Sequence, residues 1–300
     1  MQQNFIKMNQ GKNNWKRFLL SFVIIVFFIF LGGIMYLFAL SAFAEADGDP
    51  NSYFDRIELV GVHVNPLYDF VLTHINYVFW VLGLVITMRL IHKRKFKTLI
   101  TPNRKINWMR IFWGFSLFFC LVSGTTLIDF IFNPGDYAFN NIKWKDFLQL
   151  FFFVLILTPM QTTAEEVFFR GYLMQWFGRK ITHSLLLSII VGSIFGMLHF
   201  SNPEMNYSAF FVGSDYVLSG IVWCYITAKT NGAEITIGAH AANNMFLGWF
   251  LTMDDAVFGK IPSLFVVSDI NPQISLLWTI ITLSVFTFFA IKKFGKNYRI

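Results

Sequence analysis

The sequence predicts an all-α, polytopic transmembrane helix bundle of about eight spans with both termini cytoplasmic. Three observations predict it. Apolar residues make up 55% of the 300-residue chain and charged residues 14%, about half the charged share of a soluble domain. The mean hydropathy is +0.55, and 38 residues are Phe. So few charges cannot cover a water-soluble globule. Collagen, disordered tails, disulfide scaffolds and soluble dinucleotide-binding domains are excluded on composition.

A hydrocarbon core about 30 Å thick needs about 20 apolar residues in a helix. Eight segments meet or approach that length, near 18–41, 70–91, 111–132, 147–168, 184–200, 207–228, 233–251 and 274–291. The first ends in Ala42-Phe43-Ala44, similar to a signal-peptidase site, but its 24 apolar-rich residues exceed a signal-peptide core and read as an uncleaved anchor. Asn271-Pro272 is a helix start for the last. The chain divides into 1–146 (spans one to three with an outer loop), 147–251 (spans four to seven) and 252–300 (outer loop, final span and basic tail). The longest polar stretch, 45–69, is a short outer loop.

Charge sets the orientation. Twenty of the 24 Lys and Arg residues fall on one face, from Lys7, Lys12, Lys16 and Arg17 through the Arg89–Arg110 cluster to Lys292, Lys293, Lys296 and Arg299. Arg56, Lys143, Lys145 and Lys260 lie opposite. By the positive-inside rule the basic face is cytoplasmic, which places the protein as a multi-pass protein of the plasma membrane. The net charge of +7 is therefore read as attraction to anionic lipid and not to nucleic acid. Cys120 and Cys224 sit inside apolar runs and are read as buried thiols. Fourteen of the 17 acidic residues lie at the outer side. Of the other three, Glu234 caps a span at the inner face, and Glu165 and Glu166 lie within span four.

Ionisable groups inside a span are costly and mark a site facing the protein interior. Glu166 and Arg170 are i and i+4, the spacing of an ion pair on one helix face, whereas Glu165 projects about 100° away and stays free for chemistry. The competing reading is an ion pair that only fixes packing. His199 follows Phe195 by one turn, and alone would read as an interfacial histidine. His240 and Asn244 are again i and i+4, flanked by Gly238, Ala239, Ala241 and Ala242. Small neighbours let helices approach and bury such a pair, as interhelical hydrogen bonds or as a site. Counted along helices at about 1.5 Å per residue, all three positions reach mid-membrane if the hairpin of spans four and five projects about 10 Å into the cytoplasm. His63, His74, His92 and His183 read as solvated or interfacial, and Asp129 and Asp215 as locally hydrogen-bonded.

A carboxylate and an imidazole beside one water can deprotonate it, and a second imidazole with an amide can stabilise an oxyanion. Glu165, His199 and His240 are equally a donor set for a divalent metal such as zinc; the residue types leave the two mechanisms open. No HExxH, GxSxG or Walker motif is present.

EEVFFRGYL at 165–173, FGMLHF at 195–200 and TNGAEITIGAHAANN at 230–244 resemble the EExxxR, FxxxH and HxxxN motifs of the CPBP family of intramembrane CAAX-processing and bacteriocin-processing (Abi-type) proteases. The resemblance covers about 147–251. It implies a water-activating Glu165 with His199 as partner, Glu166 and Arg170 (with Phe195) in support, and His240 with Asn244 binding the oxyanion. It further implies an endopeptidase acting on a membrane-bound peptide or lipidated protein, prenylated CAAX or bacteriocin-like, near the cytoplasmic half of the bilayer. Asn is a poor metal ligand and a good hydrogen-bond donor, which favours the glutamate over the metal mechanism. The same buried polar cluster would also suit a non-catalytic immunity factor or a small transporter. Substrate and oligomeric state have no signal in the sequence.

Overall fold

The eight expected spans fall on the nine α-helices of the described residues, and the helix ends are set by local chemistry. The computed structural model describes residues 4–253, 256–257, 259–268 and 270–295; Lys296 and Arg299 of the expected basic tail lie outside the described residues. Asn14 starts α1 (Trp15–Ala46) by accepting from the Arg17 amide. Asn65 does the same for α2 (Pro66–Ile86), which has Pro at its first turn and runs on into a π-helical turn, Thr87–Ile91. Asn107 caps α3 (Trp108–Phe132). α4 (Trp144–Glu166) continues through a π-helical stretch, Val167–Leu173, into α5 (Met174–Phe177). α6 (Ser184–Met197), α7 (Ala209–Thr230), α8 (Glu234–Phe250) and α9 (Pro272–Phe294) complete the bundle. Six of these stretches are long and apolar enough to cross a membrane. The remaining crossings are the 14-residue α6 and the 17-residue α8.

The helices pack chiefly as α1 on α2, α3 on α8, and α6 on α7, with α8 also against α4 and α9 against α7. Two of these crossings require glycine. A Cβ on Gly192 would fall inside contact distance of the Ile221 backbone, and one on Gly238 would strike the Ile111 carbonyl oxygen. Small residues allow such approach where apolar lipid gives no hydrophobic drive to helix association.

The outer loops carry the strands. β1 (Tyr53–Asp55) and β2 (Val60–Val62) form an antiparallel hairpin within 45–69. β3 (Tyr137–Phe139), β4 (Leu251–Thr252) and β5 (Phe265–Val267) form a sheet in the order β3-β5-β4, β3 antiparallel (Tyr137 opposite Val267) and β4 parallel to the middle strand. At the opposite end Phe294 packs on Trp113 with ring centroids 4.9 Å apart, and the Phe5 amide donates to Asn231 Oδ1 at 2.7 Å. Both described chain ends therefore lie on the basic, cytoplasmic face.

Several expectations about that face change. Residues 4–14 fold back under the bundle, with Phe5, Ile6 and Met8 fully buried in its main apolar core. His92, expected solvated, is buried; its Nδ1 lies 3.0 Å from the Lys12 carbonyl and 3.1 Å from Asn13 Oδ1. Burial, reinforced by Arg94 and Arg17, pushes its pKa down to about 4. His74 is also buried, with Nδ1 2.7 Å from the Phe70 carbonyl one turn back. Cys224 is buried as expected, whereas Cys120 is exposed on a face that composition assigns to lipid.

Candidate active site

The π-helical stretch after Glu166 turns seven consecutive residues inward. Val167 through Leu173 are all buried, the wider π turn being a recurrent feature at functional positions. Arg170 and Glu166 are both fully buried and pair at 3.0 Å. The guanidinium lies 4.3 Å from the Phe195 ring centroid and 5.4 Å from that of Trp223, so aromatic faces supplement its one carboxylate.

Glu166 also serves α8. His240 Nδ1 lies 3.0 Å from Glu166 Oε1. A carboxylate accepts only, so Nδ1 carries the hydrogen and Nε2 is the ring atom turned to Glu165, whose Oε2 is 3.8 Å away. The imidazole is confined further by Trp223, 4.7 Å between ring centroids. Gln161, one turn before Glu165, approaches its Oε1 at 3.4 Å and donates to the Tyr77 hydroxyl at 3.1 Å.

Of the two imidazoles expected near Glu165, His240 comes within 3.8 Å of it, and His199 interacts electrostatically with the same carboxylate. Among the described residues no ion-pair contact joins His199 to Glu165. His199 gives Nδ1–H to the Phe195 carbonyl at 2.8 Å and stacks on Tyr216, centroids 4.4 Å apart and 18° between planes, with Phe195 4.6 Å away on another side. Its Nε2 is left with a lone pair. Asn244 Oδ1 accepts from Asn243 Nδ2 at 3.1 Å, which leaves the Asn244 amide N–H2 as its donor.

The helix lengths leading to the site from the two turns differ. Glu165 is 13 residues before Gly178, about 20 Å of helix, whereas His240 is only 8 beyond Gly232, about 12 Å. The α7–α8 turn is enclosed, with Asn231, Ala233 and Glu234 buried. Ile100 accepts from the Ala233 amide at 2.8 Å, and Phe5 covers the turn from below. Arg110 ties it down, 3.4 Å from Glu234 Oε2 and 2.7 Å from the Thr230 carbonyl.

Glu165, His199, His240 and Asn244 line one cavity of about 1310 Å³, larger than ordinary small-molecule pockets. It runs from Glu165 up to the outer loops, reaching Asn133, Tyr207, Met253 and Asn271. The side below Glu165 is filled by the apolar core that includes Phe169, Leu173, Leu99 and Phe5. The cavity leads toward the loops opposite the basic face, and on the basic face residues 4–14 and the loop after α2 pack against the bundle. No group of three or more His, Cys, Asp or Glu side chains among the described residues is arranged to hold a metal ion. The His199 and His240 rings both border the cavity and share the Phe195 ring as a neighbour.

Sequence reasoning missed Gln161, Tyr77, Trp223 and Tyr216. Gln161 had a local signal, a polar residue four before Glu165 in an apolar span. Tyr77 had none, because it comes from α2, 84 residues away in sequence.

The sequence that carries this cluster matches a known family. Residues 144–246 match the family model described as type II CAAX prenyl endopeptidase Rce1-like, and the chain belongs to this family of membrane proteases. It is 44% identical over 288 residues to a Bacillus subtilis (strain 168) protein described as uncharacterized protein YyaK, the alignment covering 96% of this chain and 95% of the relative. No solved structure matches the chain.

Proposed function

We infer that this protein is an intramembrane endopeptidase in which Glu165 activates the water that attacks a peptide carbonyl. The supporting observation is the 3.8 Å separation of Glu165 Oε2 and His240 Nε2 at the inner end of the cavity. A single water at about 2.8 Å from both atoms is a normal double hydrogen bond, and the two contacts would subtend about 85° at its oxygen. Glu166, neutralised by Arg170, fixes the imidazole that holds this water.

The reaction then needs only the chain's own groups. The water oxygen bonds to the peptide carbon while its proton passes to Glu165. The Asn244 amide donates to the oxyanion that develops on the former carbonyl oxygen. Collapse breaks the C–N bond, and the leaving amine takes the proton back from Glu165, with His199 Nε2 as a cavity acceptor for its N–H. Since the donor set as placed does not form a three-ligand metal site, no step is routed through a metal.

The test is a comparison of membrane proteomes from cells carrying the wild-type chain and Glu165→Gln. The expected result is at least one membrane-anchored peptide whose processing disappears in the variant. Identical peptide profiles, with any resistance or transport phenotype unchanged in the variant, would instead support a protein that acts by binding.

A further inference from the structure

We propose that Tyr216 and Glu204, which no motif marks, are positioning residues of this site: Tyr216 holds the His199 imidazole with Nε2 in the cavity, and Glu204 holds Tyr216. The inference rests on the protease reading above and deepens it, because both residues act on the reaction through His199. Its first ground is where His199 lies in the chain. α6 ends at Met197, and the following amides close short turns, His199 N–H donating to the Gly196 carbonyl at 3.0 Å and Phe200 N–H to that of Met197 at 3.2 Å. A functional side chain beyond the end of its helix loses the frame that helix packing gives and needs its rotamer locked by neighbours. The 2.8 Å bond from Nδ1 to the Phe195 carbonyl sets the tautomer but leaves the ring free to tilt about that bond.

The second ground is what lies on the faces of that ring. Tyr216 stacks on it with centroids 4.4 Å apart and 18° between planes, and Phe195 meets it at 4.6 Å and 49°. Tyr216 belongs to α7, whose backbone touches α6 just before His199: a Cβ on Gly196 would fall 2.6 Å from Val217 Cα. This close crossing brings a ring from a rigid helix to a residue outside one. The phenol is in turn anchored at its far end. Its hydroxyl donates to Glu204 Oε1, which also accepts from Asn202 Nδ2 at 3.2 Å, while Glu204 Oε2 accepts from the Val257 amide at 3.3 Å. A hydroxyl bonded to a carboxylate makes a charge-assisted bond, about twice as strong as a neutral one. Glu204 thus joins the turn after α6, the side of α7 and the loop after α8 to one phenol. Asn202, Glu204, Tyr216 and His199 all border the cavity that holds Glu165.

The hold on the ring can be read without catalysis. The full chain is purified in detergent with 15N-labelled histidine, and the His199 signals are assigned by their loss in His199→Phe. At about pH 8, above the ordinary imidazole range, the wild type should show His199 as one tautomer with its hydrogen on Nδ1. Tyr216→Leu should replace that signature by a mixture of tautomers, and Tyr216→Phe, which restores the ring, should recover most of it. A wild-type spectrum in Tyr216→Leu, or no recovery in Tyr216→Phe, overturns the proposal. A second arm measures cleavage of a lipid-anchored fluorogenic peptide, drawn from the proteome comparison above, by the full chain in liposomes. Tyr216→Phe and Glu204→Ala should each lower kcat about tenfold, the effect of losing one hydrogen bond to a charged group, with KM unchanged. The two combined should be no slower than either alone, because they break the same bond. In a His199→Phe background, Tyr216→Leu should cost less than about threefold more, since its effect passes through the missing imidazole. Wild-type kcat in the single variants, losses that multiply in the double, or an undiminished loss without His199 overturns the proposal. A chain that cuts no peptide, yet keeps the tautomer signature and its dependence on Tyr216, refutes the protease reading and leaves the positioning of His199 standing.

Discussion

Replacing Glu166 by Gln should unfold the protein sooner, whereas replacing its neighbour Glu165 should leave stability nearly unchanged and remove activity. Glu166 lies 3.0 Å from Arg170, and both are fully buried. At an effective dielectric of 20, two charges at that distance attract by about 5.5 kcal/mol. Removing the carboxylate charge leaves a guanidinium among neutral neighbours: aromatic faces, the Gly220 carbonyl at 3.4 Å and the Cys224 thiol. Breaking a buried pair in this way costs about 3–5 kcal/mol, or roughly 10 °C in melting temperature for a protein of this size. Glu165 keeps its Gln161 and cavity contacts as an amide, so Glu165→Gln should melt within about 2 °C of wild type. The assay is tryptophan fluorescence during heating in detergent, run beside peptide cleavage. Adding Arg170→Met to Glu166→Gln removes the stranded charge and should recover most of the lost stability. Activity should stay absent, since His240 has lost its carboxylate. If Glu166→Gln melts with wild type, or the double variant is no more stable than the single, the buried pair is not what holds this turn.

The assignment of imidazoles is separable by rate: His240→Ala should lower kcat by about 10³-fold, within the range for loss of an acid–base group, and His199→Phe, which preserves the Tyr216 stack, by no more than about 100-fold. A larger loss at His199 would restore the pairing expected from the motifs. The docking of residues 4–14 should depend on pH through His92. Its folded pKa of about 4 lies below the ordinary value near 6.5, so stability is full above pH 6.5 and declines as pH falls toward 4. Allowing for screening by solvent and nearby cations, docking should weaken about tenfold, ~1.4 kcal/mol, between pH 7.5 and pH 5. Protease accessibility of the N-terminal segment measures it, and a pH-independent His92→Phe variant is the control. Gly192→Val forces a side chain into the Ile221 backbone and should cost about 3 kcal/mol, read as the same melting shift; a variant as stable as wild type would mean that α6 and α7 are not so close.

What was legible in the sequence was whatever has a local or one-dimensional signature. The eight apolar runs, the Asn and Pro caps and the basic face each follow from spacing or counting, and the α4 ion pair follows from i,i+4 periodicity. The site residues could be collected because polar side chains in apolar spans are few. Which imidazole comes within 3.8 Å of Glu165 was not legible, because it depends on how the α7–α8 turn is enclosed. That enclosure is set by Ile100, Phe5 and Arg110, contacts made across more than 100 residues. The packing at the basic face was hidden for a related reason. Residues 4–14 look polar and solvated in isolation, and only the tertiary fit of Phe5, Ile6 and Met8 beneath the bundle makes them core. The small outer strands are too short to register as alternation.

The first three spans, outside the stretch that matches the family, belong to the site. Tyr77 and Trp80 of α2 line the cavity, and Tyr77 holds Gln161 beside Glu165. Phe18 of α1 accepts the Tyr172 hydroxyl, fixing the π-helical stretch that carries Arg170. Trp80 meets Phe168 and Phe169 edge-on. α3 crosses α8 at Gly238, and its Arg110 ties down the turn before His240. Ionised groups at this depth are tolerated only when their neighbours exclude lipid and supply partners, and α1 to α3 contribute such neighbours here. The similarity to the Bacillus relative spans 96% of the chain, as expected if the surrounding spans are constrained together with the motif-bearing helices. The charged cluster and its enclosure are thus one structural unit: the polar residues need the N-terminal helices to be tolerated inside a bilayer.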